Sequence, residues 1–186
     1  MSAQDLCLTP MGVWFQGRRM PCTIGRGGIT DQKAEGDGAT PIGHHRITGL
    51  LFRPDRIARR HLPAHARPIG LRDLWCDDPA HPAYNRPVRA PFGASHERLR
   101  RADPLYDLIL TTDWNTDPAT PGKGSAIFVH TWRGAGYPTA GCVAFDHADL
   151  MWIVQRLTRS CKEFARRVAM PMPLSQMSAT RGRWNR

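Results

Sequence analysis

The sequence predicts a mainly β fold with one α-helix close to its C-terminal end, and three observations carry that expectation. First, its 186 residues include 16 Pro and 17 Gly, which leave little room for long helices before about residue 145, because Pro removes a helical donor and Gly costs backbone entropy. Second, the apolar residues before that point come in short runs dense in β-favouring side chains. Third, only after it do apolar residues recur at three- and four-residue spacing over several turns. A hydrophobic content of 41% with 23% charged residues excludes a disordered chain, and the length fits one domain.

From Leu6 to Ile24, LCLT and GVWF are separated by turn residues and read as a strand, a turn and a second strand. Gly25 to Gly43, rich in Gly, Asp and Thr, is either a structured loop or disordered. Ile47 to Phe52 reads as a short strand. Between Arg53 and Arg101, prolines at 54, 63, 68, 79, 82, 87 and 91 keep any element brief, so this stretch reads as a long excursion capping the domain. Leu105 to Thr112 and Ser125 to Thr131 read as buried strands joined by a turn-rich loop, with a third strand over Cys142 to Phe145. Asp146 then caps a helix whose stripe runs through Leu150, Ile153, Val154, Leu157, Cys161, Phe164 and Val168. Residues 1–169 form the expected domain and 170–186 a basic tail.

The chain carries 26 Lys plus Arg against 16 Asp plus Glu, a formal charge of +10, and 23 of those cations are Arg. Such a field attracts an anionic partner, whether nucleic acid, an acidic polymer or a membrane surface, and a strong Arg bias also follows from genome base composition alone. Met1 to Pro10 has neither the basic nor the apolar region of a secretory leader, and no apolar run approaches the ~20 residues that span a bilayer. Five cysteines, Cys7, Cys22, Cys76, Cys142 and Cys161, are odd in number and form no CxxC pair. Neither a disulfide framework nor a zinc ribbon is expected, and at least one thiol is free. His44-His45 and His61-x-x-x-His65 lack a third ligand, and Pro63 breaks the helix that the second pair needs. No metal or other cofactor is expected.

His130 ends an apolar strand, and Cys142 follows it after a loop of eleven residues. A thiol becomes a strong nucleophile once a neighbouring imidazole takes its proton. Alternation places Ala126, Phe128 and His130 on one face of the strand, which makes the imidazole partly buried. The small residues Thr139, Ala140 and Gly141 can aim backbone N–H groups at one point, as an oxyanion hole requires. Taken alone, a His and a Cys so spaced are weak evidence, since most such pairs are structural.

The stretch from His130 through TAGC to Asp146 resembles the catalytic segment of the YkuD-type L,D-transpeptidases, in which a His precedes a Ser/Thr-His-Gly-Cys signature. The segment from Lys33 to Gly43, KAEGDGATPIG, is similar to a run found in a compact branch of that family. Further similarity lies at Trp75 to Asp78, Tyr84-Asn85, Ser95-His96-Glu97, Tyr106-Asp107 and Gly124 to His130, so the resemblance spans about residues 6 to 168. It implies a sandwich or open barrel of mixed sheets. It further implies Cys142 as nucleophile, His130 as its base, the Thr131 carbonyl as the group orienting the imidazole, and the N–H groups of Ala140, Gly141 and Cys142 as the oxyanion hole. Two departures are visible: Ala140 stands where the family has His, and Ala144 where Asn is usual.

The implied substrates are peptidoglycan stem peptides, as donor and as acceptor, which places the enzyme in the periplasm although no leader is legible. The Thr-Ala-Gly-Cys variant resembles a branch that joins L-alanine at stem position 1 to diaminopimelate at position 3. A 3,3 link and hydrolysis by an L,D-carboxypeptidase or endopeptidase are the alternatives. Arg133 is a candidate clamp for a stem carboxylate, and Tyr84, Asn85 and His96 are candidate substrate contacts. A monomer is expected. The non-enzymatic alternative is a basic nucleic-acid-binding module using Arg53 to Arg72, although no nucleic acid is expected.

Overall fold

A computed structural model describes residues 5–157 and 167–169. Fifteen short strands, one α-helix and a 3-10 turn at Arg59–His61 make up the regular structure of these residues. The first six are β1 (Leu6–Thr9), β2 (Gly12–Phe15), β3 (Arg18–Met20), β4 (Cys22–Thr23), β5 (Ile29–Thr30) and β6 (Thr40–Pro41). The excursion and its approach hold β7 (His44–Phe52), β8 (Arg67–Pro68), β9 (Asp73–Cys76), β10 (Pro87–Arg89) and β11 (His96–Arg98). Then come β12 (Leu108–Thr112), β13 (Phe128–Thr131), β14 (Val143–Phe145), α1 (His147–Leu157) and β15 (Arg167–Ala169).

One large mixed sheet runs in the order β3-β2-β1-β15-β7-β12-β13-β14-β4, with β8 added beside β7. It curls until β4 returns to β2, so both halves line one interior, as in an open barrel. Alternation decides which side chains fill it. Leu108 and Leu110 of β12 and Val129 of β13 point inward, where they meet Leu6, Phe15, Phe145 and the α1 stripe Leu150, Ile153 and Val154. Ile109 and Phe128, one residue out of phase, point to the opposite face and meet Ile69, Trp75, Leu99, Tyr106 and Cys142. This second face is roofed by the three-stranded sheet β10-β9-β11, where Trp75 meets Phe128 edge to face at 5.0 Å.

The arginines of the excursion are largely engaged in building it. Arg53, buried, grips Asp55 through two bonds of 2.9 and 2.8 Å. Arg56 reaches the Asp107 carboxylate at 2.7 Å and the Asp103 and Ala102 carbonyls at 3.0 and 2.7 Å. Arg59 binds the carbonyls of Leu62, Pro63 and Ala64. These three side chains are committed to the scaffold, whereas Arg60, Arg67 and Arg72 are exposed.

Two sequence expectations need correction. Asp146 does cap α1, its Oδ1 accepting from Ala148 N–H at 2.9 Å, but Val168 is not on a helix. It lies in β15, opposite Leu6 of β1 in parallel register and His45 of β7 in antiparallel register. The pairing edges of β1 and β7 take this segment as a strand, and tertiary pairing overrides a local helical period. Cys161 and Phe164 of the expected stripe, and the tail 170–186, lie outside the described residues. The strand expected from Ser125 begins only at Phe128, because Ala126 adopts φ 51°, a left-handed conformation that breaks the pleat.

Candidate active site

β13 and β14 run parallel with His130 opposite Ala144 and Val129 opposite Val143. Continuing that register puts Cys142 beside Phe128, so Cys142 and His130 project from the same face as diagonal neighbours. They line one cavity of about 280 Å³, together with Arg26, Glu97, Arg101, Tyr106, Arg133 and Tyr137. A larger cavity of about 650 Å³ opens between β7 and β9 and contains none of the expected site residues.

The imidazole is held firmly. His130 Nδ1 lies 2.7 Å from the Thr131 carbonyl oxygen. A carbonyl only accepts, so Nδ1 carries the hydrogen and Nε2 presents a lone pair. Tyr106 packs against the ring edge to face at 5.2 Å. Burial pushes His130 down to about 4, the Thr131 bond opposing it. The imidazole is therefore neutral at ordinary pH.

The thiol is neutral as well. Burial pushes Cys142 up to about 12, against the donation from Phe128 N–H. Cys142 Sγ accepts that hydrogen at 3.3 Å and donates to the Ala126 carbonyl at 3.2 Å. In this arrangement the sulfur faces Ala126 rather than the imidazole, so attack on a substrate requires it to leave that carbonyl. The left-handed φ of Ala126 aims the carbonyl at the sulfur.

The turn carrying the nucleophile is braced on three sides. Thr139 Oγ1 donates to the Cys142 carbonyl at 2.6 Å and accepts from Gly141 N–H at 3.1 Å. Of the three expected oxyanion donors, Gly141 N–H is thus turned toward Thr139. Gly141 has φ 141°, and a Cβ there would sit 2.9 Å from the Ala39 carbonyl oxygen, so only Gly fits. The Gly141 carbonyl in turn accepts from Thr40 Oγ1 at 2.8 Å, and the same hydroxyl accepts from Gly25 N–H at 2.9 Å. Lys33 and Asp37 hold this loop by an ion pair of 2.5 Å in which the Lys33 side chain is 3% exposed.

Thr40 was not among the residues the sequence singled out for the site, though it lies in the KAEGDGATPIG run. Thr40→Val keeps the shape and removes the hydroxyl, leaving Gly25 N–H and the Gly141 carbonyl without their partner. The expected cost is about 2 kcal/mol in thermal unfolding, since a buried polar group left unmade costs roughly 1–3 kcal/mol. Thr40→Ser should restore most of it.

The other expected residues divide between cavity and scaffold. Arg133 lines the cavity. Asn85 is 2% exposed and uses its amide completely: Oδ1 accepts from Trp75 Nε1 and Ala126 N–H at 2.9 and 3.0 Å, and Nδ2 donates to the Trp114 and Asn115 carbonyls. It holds Ala126, and so the sulfur, from behind. The Tyr84 hydroxyl donates to Glu35, and His96 Nδ1 pairs with the Ala94 carbonyl at 2.7 Å. None of Tyr84, Asn85 and His96 lines the cavity. His44 and His45 occupy opposite faces of β7, and among the described residues no three His, Cys, Asp or Glu side chains are grouped to hold a metal.

The family model of the YkuD L,D-transpeptidase catalytic domain matches residues 13–168. The chain belongs to that family. The matched span includes both strands that carry His130 and Cys142, the excursion above them and the loop that braces the turn. Neither a curated protein nor a solved structure matches the chain. As a member of the YkuD family it is an L,D-transpeptidase-type enzyme of peptidoglycan, a polymer that lies outside the cytoplasmic membrane. No helix among the described residues is long and apolar enough to cross a membrane.

Proposed function

We propose that this YkuD domain cross-links peptidoglycan stem peptides through a thioester on Cys142, in the periplasm. The supporting observation is the placement of Cys142, His130 and Arg133 on one cavity, with His130 Nδ1 fixed by the Thr131 carbonyl. His130 Nε2 takes the thiol proton as sulfur attacks the carbonyl that follows an L-centre of the donor stem. The tetrahedral oxyanion is met by backbone N–H groups of the Thr139–Cys142 turn, among which Ala140 and Cys142 are the assigned donors. Collapse expels the leaving amine, which takes the proton from the imidazolium. A second stem's side-chain amine then attacks the thioester and releases the thiol. Arg133 holds a donor carboxylate, to which a guanidinium can bond bidentately.

Within this scheme the product assigned is the 1,3 link between L-alanine and diaminopimelate. Its support is the Thr-Ala-Gly-Cys sequence, which keeps the backbone donor at Ala140 and removes the imidazole side chain found there in the wider family. Tandem mass spectrometry of dimers made from purified stem peptides checks this. Fragmentation should place the new amide on L-alanine. Fragments that place it on diaminopimelate at both ends identify a 3,3 enzyme, and trimmed monomers without dimers identify a hydrolase.

A further inference from the structure

The one carboxylate lining the cavity among the described residues, Glu97, has no part in the scheme above. Glu97 lies on β11 opposite Trp75 of β9. Paired residues share a face, and Trp75 meets Phe128 of β13, so the register carries the Glu97 carboxylate to the face turned toward the nucleophile. It lines the same cavity as Cys142 and His130, whose remaining charged side chains are Arg26, Arg101 and Arg133. Its contacts are long: Tyr106 Oη at 3.5 Å and Arg101 Nη1 at 3.9 Å. Arg101 is committed elsewhere, to Asp103, at 2.7 to 3.1 Å. Glu97 is thus the carboxylate in this cavity that is still able to take a strong cationic partner.

The charge of Glu97 also acts on Cys142, where it opposes ionisation of the thiol. A carboxylate so placed hinders the first half-reaction. The second half-reaction gains from one. The acceptor reaches the thioester as a primary ammonium, which must be held, and must lose a proton before its nitrogen can attack. The guanidinium groups lining the cavity repel it.

Resting on the transpeptidase reading, we propose that Glu97 forms the acceptor subsite, binding the ammonium of the incoming stem and taking its first proton. Burial raises the proton affinity of Glu97 above the usual carboxylate range, with Arg101 and Tyr106 opposing and Asp77 and Glu35 reinforcing the shift. That direction suits a base. The ammonium gives one proton to Glu97, and the free amine attacks the thioester carbon. The new amide nitrogen gives its second proton to His130 Nε2, which passes it to sulfur as the C–S bond breaks. Glu97 then returns its proton to solvent. Selecting an ammonium in this way also favours cross-linking over attack by water.

The test compares wild type, Glu97→Gln and Glu97→Asp with a donor stem peptide and an acceptor stem bearing a side-chain amine. Dimers and hydrolysed monomers are counted by mass, and acylation of Cys142 is followed by intact mass. In Glu97→Gln the dimer-to-monomer ratio should fall about a hundredfold, the lower range for removal of a general base, while the acyl-enzyme still forms. Glu97→Asp, which keeps the charge, should lie between. An unchanged ratio in Glu97→Gln overturns the proposal, and so does loss of acylation in that variant, which would assign Glu97 to the first half-reaction. Failure of the wild type to acylate Cys142 overturns the transpeptidase reading instead.

Discussion

Cys142→Ala is expected to lower cross-linking of stem peptides by at least about a thousandfold, because loss of a covalent nucleophile leaves only binding and oxyanion stabilisation. The buried sulfur also has a structural side, accepting from Phe128 N–H and donating to the Ala126 carbonyl. Its removal leaves two backbone groups short of a partner, at a cost of roughly 1–3 kcal/mol. Thermal unfolding and circular dichroism separate the effects: the variant should remain folded with a lowered midpoint and show no turnover. A folded Cys142→Ala protein that still forms dimers places the chemistry on another group.

His130→Gln should be nearly as damaging, and its pH dependence carries the diagnosis. In the wild type burial holds the thiol near 12 and the imidazole near 4, so between these values the resting pair is neutral. The imidazole stays competent as a base down to about pH 4. Acylation by the wild type should therefore be nearly flat from pH 6 to 9 and fall on the acid side as His130 protonates. Gln fills the site but takes no proton. The variant should lose about a thousandfold at neutral pH, within the ~10²–10⁴ range of general base catalysis. Its residual rate should follow the thiolate fraction, rising about tenfold per pH unit on the alkaline side. A His130→Gln profile as flat as the wild type's would show that the imidazole does not take the thiol proton.

The same depressed imidazole makes the fold acid-sensitive. The folded value of about 4 lies below the ordinary 6.5, so between them the unfolded chain binds the proton more readily. The contribution of this residue to stability therefore falls as pH drops from about 6.5 to 4.

The elements legible in the sequence are those whose signal is local. β12 and β13 showed themselves as dense β-favouring runs, and α1 by its period and the Asp146 cap. β15 was not legible, because Val168 becomes a strand residue only by pairing with Leu6 at the other end of the chain. The same distinction holds in the site. His130 and Cys142 stand close together in sequence, and one short segment carries the resemblance that singles them out. Glu97 and Thr40 reach the nucleophile through the roof sheet and through the Lys33–Gly43 loop, contacts that no local window contains. Asn85 stands out in the sequence, but its role as the clamp on Ala126 rests on a bond from Trp75 and on bonds to the Trp114 and Asn115 carbonyls. The left-handed φ of Ala126 has no signature in an alanine, and it rests on the Asn85 clamp.

The most direct test of Cys142 as the nucleophile is the intact mass of the protein after brief incubation with a donor stem peptide alone, followed by peptide mapping. One acyl adduct per chain is expected, on the peptide containing Cys142, released by hydroxylamine and missing in Cys142→Ala. Turnover without that adduct, or an adduct mapped to Cys7, Cys22, Cys76 or Cys161, would contradict it.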